Sequence, residues 1–221
     1  MKKENNQLSC EPPIIDLEDL MRDKSLSVIG VVADKNQGKS NLLYNMIEII
    51  KRNAPQTKIV GFRLLVKIPG VLMLNSLVEL AKIRDSYIII DELKTIADMD
   101  NRTEVNKLLR LLQTIKHSNN TIILSGLAHN FNGKISGEVE AWIFKQTTLI
   151  SVIKRSNLDY ILKELTSEGR ASKNDYTLTM PVNGALVYHP YMQKTWHYID
   201  IPYLPECDTK KDNEPVIKWK Y

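Results

Sequence analysis

Apolar residues in the first two thirds of the chain form short runs that are separated by longer periodic stretches. The short runs are Leu26 to Val32, Lys58 to Phe62, Tyr87 to Ile90, Thr121 to Ser125 and Ala141 to Phe144. Runs of this length with nearly continuous apolar character are typical of strands that are covered on both faces. The pattern therefore predicts a central, mostly parallel β-sheet.

The longer stretches have the period of amphipathic helices. Residues 41 to 52 are apolar at positions 42, 43, 46, 47 and 50, and residues 102 to 116 are apolar at 105, 108, 109, 112 and 115. Shorter helices are predicted near residues 16 to 22 and 157 to 165, and Ser76 and Glu79 form a capping-box pattern for a helix that runs to about Ile83. Alternating strands and helices predict an α/β fold of three layers.

The pattern changes to strands near the carboxyl terminus. Strands are predicted at residues 176 to 180, 185 to 188 and 195 to 201, and the pair Asn183-Gly184 predicts a type I′ hairpin between the first two. We expect an amino-terminal arm at residues 1–24, one domain at residues 25–205 that includes this hairpin region, and a charged tail at residues 206–221.

Composition limits the classes of protein to which the chain belongs. The 221 residues include 43% hydrophobic and 25% charged residues, which suits one globular domain. No apolar run approaches the roughly 18 residues of a membrane-spanning helix, and no signal peptide is visible, so a cytosolic protein is expected. Cys10 and Cys207 do not have the spacing of a metal site. The net charge of +4 is compatible with a polyanionic partner but does not identify one.

A motif that binds phosphate lies between the first predicted strand and the helix that follows it. Its residues are Ala33, Asp34, Lys35, Asn36, Gln37, Gly38, Lys39, Ser40 and Asn41. They match the P-loop pattern G-x-x-x-x-G-K-[ST], except that Ala33 replaces the first glycine. In such a loop backbone N–H groups surround the phosphates, the lysine reaches the β and γ phosphates, and the hydroxyl of the last residue ligates Mg²⁺. The sequence therefore predicts a site for ATP and Mg²⁺, with Lys39 and Ser40 in these roles.

Two carboxylates follow the predicted strand at Tyr87 to Ile90. Asp91 is expected to hold the Mg²⁺ shell, and Glu92 to polarise an attacking water molecule. Because the carboxyl ends of parallel strands meet at one edge of a sheet, both residues are expected to lie beside the P-loop. The presence of Glu92 favours hydrolysis over phosphoryl transfer to a small acceptor.

Together the two motifs resemble the additional-strand, catalytic-glutamate division of P-loop NTPases. The resemblance implies a further strand between the two motif strands that ends in a polar sensor residue. The run from Thr121 to Ser125 fits that place, which makes Ser125 the sensor, with His129 and Asn130 as alternatives. This division often has glutamine at the end of that strand, and the present chain does not.

The order of the elements is most similar to that of the FtsK-HerA superfamily of DNA pumps, and within it to the short viral genome-packaging ATPases. This resemblance implies a homo-oligomeric ring in which a neighbouring subunit supplies an arginine to the γ phosphate. Arg155 is the favoured candidate because it follows the strand at Ala141 to Phe144, and Arg170 and Arg110 are the alternatives.

Basic residues are candidates for contact with DNA phosphates, which proteins hold without reading base sequence. Those that could line a pore are Lys107, Arg110, Lys116 and Lys134. A capsid or membrane partner is compatible with the same resemblance, and the expected location is the host cytoplasm or a virus particle.

The sequence thus predicts an ATP-hydrolysing motor that moves DNA and packages a viral or mobile-element genome. Three alternatives remain open. A nucleotide kinase is disfavoured by Glu92 and the terminal strands, and a helicase loader of the AAA+ class normally continues into a helical lid. An assembly or switch NTPase that never contacts DNA has no sequence feature against it.

Overall fold

A computed structural model describes residues 14–62, 64, 67–98, 100–127, 130–145, 147–148, 177–178, 183–189, 196–202 and 204 of the chain. Several residues considered above lie outside this part. They are Cys10, His129, Arg155, Arg170, Cys207 and the predicted helix at residues 157–165. Among the described residues, no helix combines the length and apolar character that crossing a membrane requires.

The described elements follow the predicted alternation of strands and helices. The helices are α1 (Leu17–Arg22), α2 (Lys39–Asn53), α3 (Leu77–Leu80), α4 (Arg102–Lys116) and α5 (Gly133–Ser136), with a 3₁₀ turn at Leu93–Thr95. The strands are β1 (Val28–Val32), β2 (Lys58–Phe62), β3 (Val71–Leu74), β4 (Ser86–Ile90), β5 (Thr121–Gly126), β6 (Ala141–Phe144), β7 (Thr147–Thr148), β8 (Thr177–Leu178), β9 (Gly184–Tyr188) and β10 (Trp196–Asp200).

Eight of the strands form one sheet in the order β10-β9-β6-β1-β5-β4-β2-β3. The six strands from β6 to β3 are parallel, and β9 and β10 extend the sheet as antiparallel strands. Strand β5 lies between β1 and β4, with Val32 opposite Gly126 and Ile90 opposite Leu124. The prediction of a strand between the two motif strands is therefore confirmed.

The sheet separates two apolar cores, because neighbouring residues of each strand point to opposite faces. On one face, Ile29 and Val31 of β1 pack with residues of α2. On the other face, Val28 and Val32 pack with residues of α4 and α5. All five residues of β1 are buried. The predicted α/β architecture of three layers, with helices on both faces of a mostly parallel sheet, is confirmed.

Helix α1 belongs to the same packed structure. Its Leu17, Leu20 and Met21 are buried in the core on the α2 face, and Asp16 caps its amino terminus by accepting a hydrogen bond from Glu18 N at 2.8 Å. Just before it, Ile14 forms a bridge to Tyr198 of β10. The described end of the predicted arm is thus docked against the domain.

Two local predictions are wrong. Asn183-Gly184 does not form a type I′ turn, because that turn requires a positive φ at both positions and Gly184 does not have one. Instead Gly184 begins β9, which pairs with β6 and β10, while β8 pairs with β7. Ser76 is the N-cap of α3, but its side chain makes no capping hydrogen bond. At Gly184 the local turn pattern is present, but pairing of β9 with β6 and β10 decides what it forms.

Candidate active site

The P-loop connects the carboxyl end of β1 to the amino terminus of α2. Two residues of the loop have left-handed backbone conformations, Asn36 with φ 62° and Gly38 with φ 75°. Gly38 is the N-cap of α2, and it leaves the first N–H groups of the helix without a side-chain cap. The first turn of α2 contains no acidic residue. A helix amino terminus of this kind attracts an anion through its free N–H groups and its dipole.

Ala33 stands where the P-loop pattern has its first glycine. Its φ is not positive, and its N–H donates to the carbonyl oxygen of Gly126 at 3.4 Å, so the residue still belongs to the strand side of the loop. The backbone conformation at this position therefore does not require glycine. The substitution of alanine is therefore compatible with the loop.

The second motif lies at the same edge of the sheet. Asp91 directly follows β4, and it is only 7% exposed. The Ser125 hydroxyl at the end of β5 donates to Asp91 Oδ1 and accepts a hydrogen bond from Glu92 N at 3.3 Å. Ser125 is fully buried, so it fixes both the Asp91 carboxylate and the backbone that carries Glu92.

Glu92 has an unusual backbone conformation, with φ 59° and ψ 81°. A left-handed conformation at a residue other than glycine is disfavoured and persists only where the surrounding structure holds it. Here it ends the extended path of β4 and precedes the turn at Leu93–Thr95. The Glu92 side chain is brought to the P-loop, where it contacts Lys39.

Lys39 connects the two motifs. Its Nζ forms an ion pair with Glu92 Oε1 and lies 3.9 Å from Asp91 Oδ1. The Lys39 side chain is 10% exposed, so this contact takes place in partly water-excluded surroundings. The sheet thus gathers Lys39, Asp91, Glu92 and Ser125 at one point. This cluster contains one cation and two carboxylates.

The residues predicted to hold Mg²⁺ have the chemistry that the ion requires. Ser40 follows Lys39 in the first turn of α2, and the Asp91 carboxylate lies close to Lys39. Hydroxyl and carboxylate oxygens are typical Mg²⁺ ligands, and Mg²⁺ usually completes its shell with water and substrate phosphates. In the part of the chain that the structure describes, no group of three or more His, Cys, Asp or Glu forms a separate metal cluster.

Asn130 and Asn41 are two further predicted site residues that the structure describes. Asn130 is 2% exposed, and its Nδ2 has no hydrogen-bond partner among the described residues. The side chain of Asn41 is engaged with the segment after β10: Nδ2 donates to Pro202 O at 3.0 Å, and Oδ1 accepts from Leu204 N at 2.9 Å. Asn41 therefore attaches the segment after β10 to the beginning of α2.

Sequence analysis did not single out Lys145, which follows β6 at this edge of the sheet. Its N–H donates to Val32 O at 2.9 Å, and its side chain is only 1% exposed. Burial lowers the pKa of the Lys145 ammonium group to about 8. The signal in the sequence was a lysine directly after the apolar run Ala141 to Phe144, in the register of a strand end.

The predicted DNA-contacting residues lie on the α4 and α5 side of the molecule. Lys107, Arg110 and Lys134 are exposed, and Lys134 Nζ donates to Asn106 Oδ1 at 2.7 Å. Lys116 instead forms an ion pair with Glu140. Arg110 and Lys116 line an open groove of about 580 Å³, together with Gln113, Thr114, His117 and Glu138.

Comparison with solved structures finds this fold in known ATPases. The genome packaging NTPase B204 from Sulfolobus turreted icosahedral virus 2, solved in complex with ATP-gammaS, matches with a TM-score of 0.55 and 17% identity, over 81% of this chain and 98% of that one. The same NTPase in complex with AMPPCP matches with a TM-score of 0.55 and 13% identity.

A second kind of ATPase has the same fold. The cytoplasmic domain of the Thermomonospora curvata Type VII secretion ATPase EccC matches with a TM-score of 0.51 and 16% identity, over 82% of this chain and 24% of that one. The sequence itself matches no protein-family profile and no curated protein. The resemblance inferred from the motifs is confirmed at the level of the fold: this chain has the fold that B204 and the EccC cytoplasmic domain share.

Proposed function

We propose that this chain hydrolyses Mg-ATP at the carboxyl edge of its sheet and uses the energy to move DNA. The observation that carries the ATPase proposal is the cluster of Lys39, Asp91, Glu92 and Ser125, which unites residues from α2, β4 and β5 beside an uncapped helix amino terminus. Phosphates bound at that terminus would lie next to a lysine and a carboxylate.

Each residue has a chemical role in this proposal. Lys39 neutralises charge on the β and γ phosphates, and Glu92 accepts a proton from the attacking water. Ser125 keeps Asp91 and Glu92 in position through its two hydrogen bonds. Ser40 and Asp91 would hold Mg²⁺, which supplies positive charge to the phosphate oxygens when it is bound.

The ion pair between Lys39 and Glu92 links binding to catalysis. The two groups contact one another directly, so an incoming phosphate would compete with Glu92 for Lys39. Once Lys39 binds phosphate, Glu92 is released to accept a proton from water. Binding of nucleotide would thus convert a paired carboxylate into an available base.

Support for a DNA substrate comes from the fold and from surface charge. B204 is described as a genome packaging NTPase, and the match covers 98% of that chain. Lys107, Arg110 and Lys134 give the α4 and α5 side three exposed cations, which is the type of surface that binds DNA phosphates. An oligomeric ring with an arginine supplied by a neighbouring subunit remains part of the proposal.

The test is steady-state ATP hydrolysis with and without duplex DNA. Lys39→Ala should abolish turnover, and Glu92→Gln should lower kcat by about 10²- to 10⁴-fold because it removes the general base. DNA should raise the turnover of the wild-type chain. The stimulation should weaken with added salt and in the double variant Lys107→Gln/Lys134→Gln, because both changes reduce phosphate contacts.

A second candidate is an ATPase that acts on a polypeptide substrate. The likeness to EccC favours it, since two of its ATPase domains, solved in complex with a signal sequence peptide, match with a TM-score of 0.50. Turnover that depends on Lys39 and Glu92 but is unchanged by DNA of any form would favour this alternative over the DNA motor.

A further inference from the structure

The chain that follows β10 reaches the first turn of α2. Its described residues are Ile201, Pro202 and Leu204, which we call the post-β10 segment. Strand β10 is antiparallel to β9, and β9 is antiparallel to β6, so β10 runs in the same direction as β6 and β1. It therefore ends at the edge of the sheet that carries the P-loop.

Two asparagine side chains of α2 hold the post-β10 segment. The Nδ2 atoms of Asn41 and Asn45 both donate to Pro202 O at 3.0 Å. Asn41 Oδ1 accepts a hydrogen bond from Leu204 N at 2.9 Å. Asn45 is only 7% exposed, and its Nδ2 also donates to Asn41 O at 2.8 Å. Since Asn41 directly follows Ser40, these contacts place the segment at the P-loop.

The post-β10 segment and the catalytic carboxylates lie on opposite sides of α2. Lys39 contacts Glu92, and Asn41 is two positions further along the helix. Each position of an α-helix turns by about 100°, so the Lys39 and Asn41 side chains leave the helix about 200° apart. Asn45 is four positions after Asn41 and faces the same way. The amino terminus of α2 is thus bounded by Glu92 on one side and by the segment on the other.

This arrangement gives a bound nucleotide a direction. Glu92 is the residue proposed to act on the water that attacks the γ phosphate, so the γ end of ATP lies toward Glu92. The nucleoside is attached to the other end of the phosphate chain. It therefore leaves the P-loop on the side away from Glu92, which is the side that Asn41 and Asn45 face.

Pro202 presents an apolar surface on that side. Ile201 is buried in the core on the α2 face and Leu204 packs against that core, whereas Pro202 is exposed. Proline has no N–H group, and Pro202 O already accepts from two asparagine amides, which use both of its lone pairs. What Pro202 offers to a ligand is therefore its ring, and ligand sites typically cover the apolar faces of a ligand with apolar side chains.

We propose that the nucleoside of the bound nucleotide packs on the ring of Pro202, and that Asn41 and Asn45 hold the post-β10 segment in place for this contact. This inference rests on the proposed function. The contact is the same for ATP and ADP, so it contributes to nucleotide affinity and not to the cleavage step. A free polyphosphate, which has no nucleoside, does not make it.

The experiment compares ADP with inorganic pyrophosphate, which has two phosphates and no nucleoside. Both Kd values are measured by titration calorimetry with excess Mg²⁺ for the full chain and for its Pro202→Gly and Asn41→Ala variants. Pro55→Gly is the control for the first variant, because Pro55 is also exposed but lies before β2, at the opposite edge of the sheet. Asn106→Ala, which removes the hydrogen bond between α4 and Lys134, is the control for the second.

The wild-type chain should bind ADP more tightly than pyrophosphate. Pro202→Gly should weaken ADP binding by about 3- to 10-fold, because it removes apolar area that covers the nucleoside. Asn41→Ala releases the segment and should weaken ADP binding by at least as much. In both variants the Kd of pyrophosphate should stay within about twofold, and kcat at saturating ATP within about threefold, of wild type. Both control variants should bind both ligands like the wild-type chain.

Equal losses of affinity for ADP and pyrophosphate would show that the post-β10 segment supports the P-loop and does not contact the nucleoside. An unchanged ADP affinity in Pro202→Gly would also overturn the inference. Pro202→Ser is a second variant if Pro202→Gly does not melt cooperatively, and it should show the same selective loss. Failure of both variants to fold would mean that Pro202 serves the fold, which overturns the inference as well.

Lys39→Ala separates this inference from the proposed function. If the wild-type chain binds neither ligand, or binds them without need of Lys39, both proposals fail. Binding of ADP that depends on Lys39 but is indifferent to Pro202 defeats only the present inference.

Discussion

Replacing Ser125 with alanine tests whether the end of β5 organises the active site. The hydroxyl is fully buried, donates to the Asp91 carboxylate and accepts from Glu92 N. A hydrogen bond to a charged group contributes about 1.5–3 kcal/mol to stability. In a chain of 221 residues, each kcal/mol corresponds to about 2–4 °C in Tm, so Ser125→Ala should melt about 3–12 °C lower than wild type.

The same substitution should reduce catalysis. Asp91 and Glu92 lose the group that fixes their positions, and a small displacement of catalytic groups costs about 10²-fold in rate. We expect kcat for ATP hydrolysis to fall by 10-fold or more. The affinity for ADP should change less, because the P-loop backbone and Lys39 remain.

Ser136→Ala is the matched control. Ser136 is also a buried serine, at the end of α5, but its Oγ has no hydrogen-bond partner among the described residues. Removing an unpaired buried hydroxyl should leave stability equal or improved, and ATP hydrolysis unchanged. If Ser125→Ala melts and turns over like Ser136→Ala, the positioning role assigned to Ser125 is wrong.

Three further substitutions probe the loop, the sheet and the buried lysine. Gly38→Ala should lower the free energy of unfolding by about 1–2 kcal/mol in urea denaturation because φ is 75°, whereas Gly137→Ala, at φ −68°, should not. Gly30→Ala places a Cβ 2.7 Å from the Trp142 ring and should cost about 1–3 kcal/mol in the same assay. Burial lowers the pKa of Lys145 from 10.5 to about 8 in the folded chain, so the unfolded chain binds more protons between these pH values and stability rises with pH. Lys145→Met should therefore be more stable than wild type by up to about 3 kcal/mol at pH 7. Denaturation curves should show that this difference in stability shrinks from pH 8 to 10.5. A difference that is equal at all pH values would contradict the lowered pKa of Lys145.

Much of the fold was predictable because buried strands and helices have characteristic local patterns of apolar residues. Apolar runs marked β1, β2, β4 and β6, and the apolar period marked α4 with the bounds that the structure shows. The pattern at Asn183-Gly184 failed for the opposite reason. A turn motif describes only four residues. Strand β9 pairs with β6, which lies about forty residues earlier, and a local pattern does not identify such a distant partner.

The sequence by itself determined the motifs: a P-loop around Gly38, Lys39 and Ser40, two carboxylates after an apolar strand, and the parallel sheet that brings them to one edge. These follow from short-range pattern and from the rule that parallel strands end together. Only the tertiary structure decided that Ser125 bonds Asp91, that Glu92 is paired with Lys39, and that Lys145 is buried beside the P-loop. Each of these contacts joins segments far apart in the chain, and its existence depends on strand order and side-chain direction, which are settled when the whole sheet is packed.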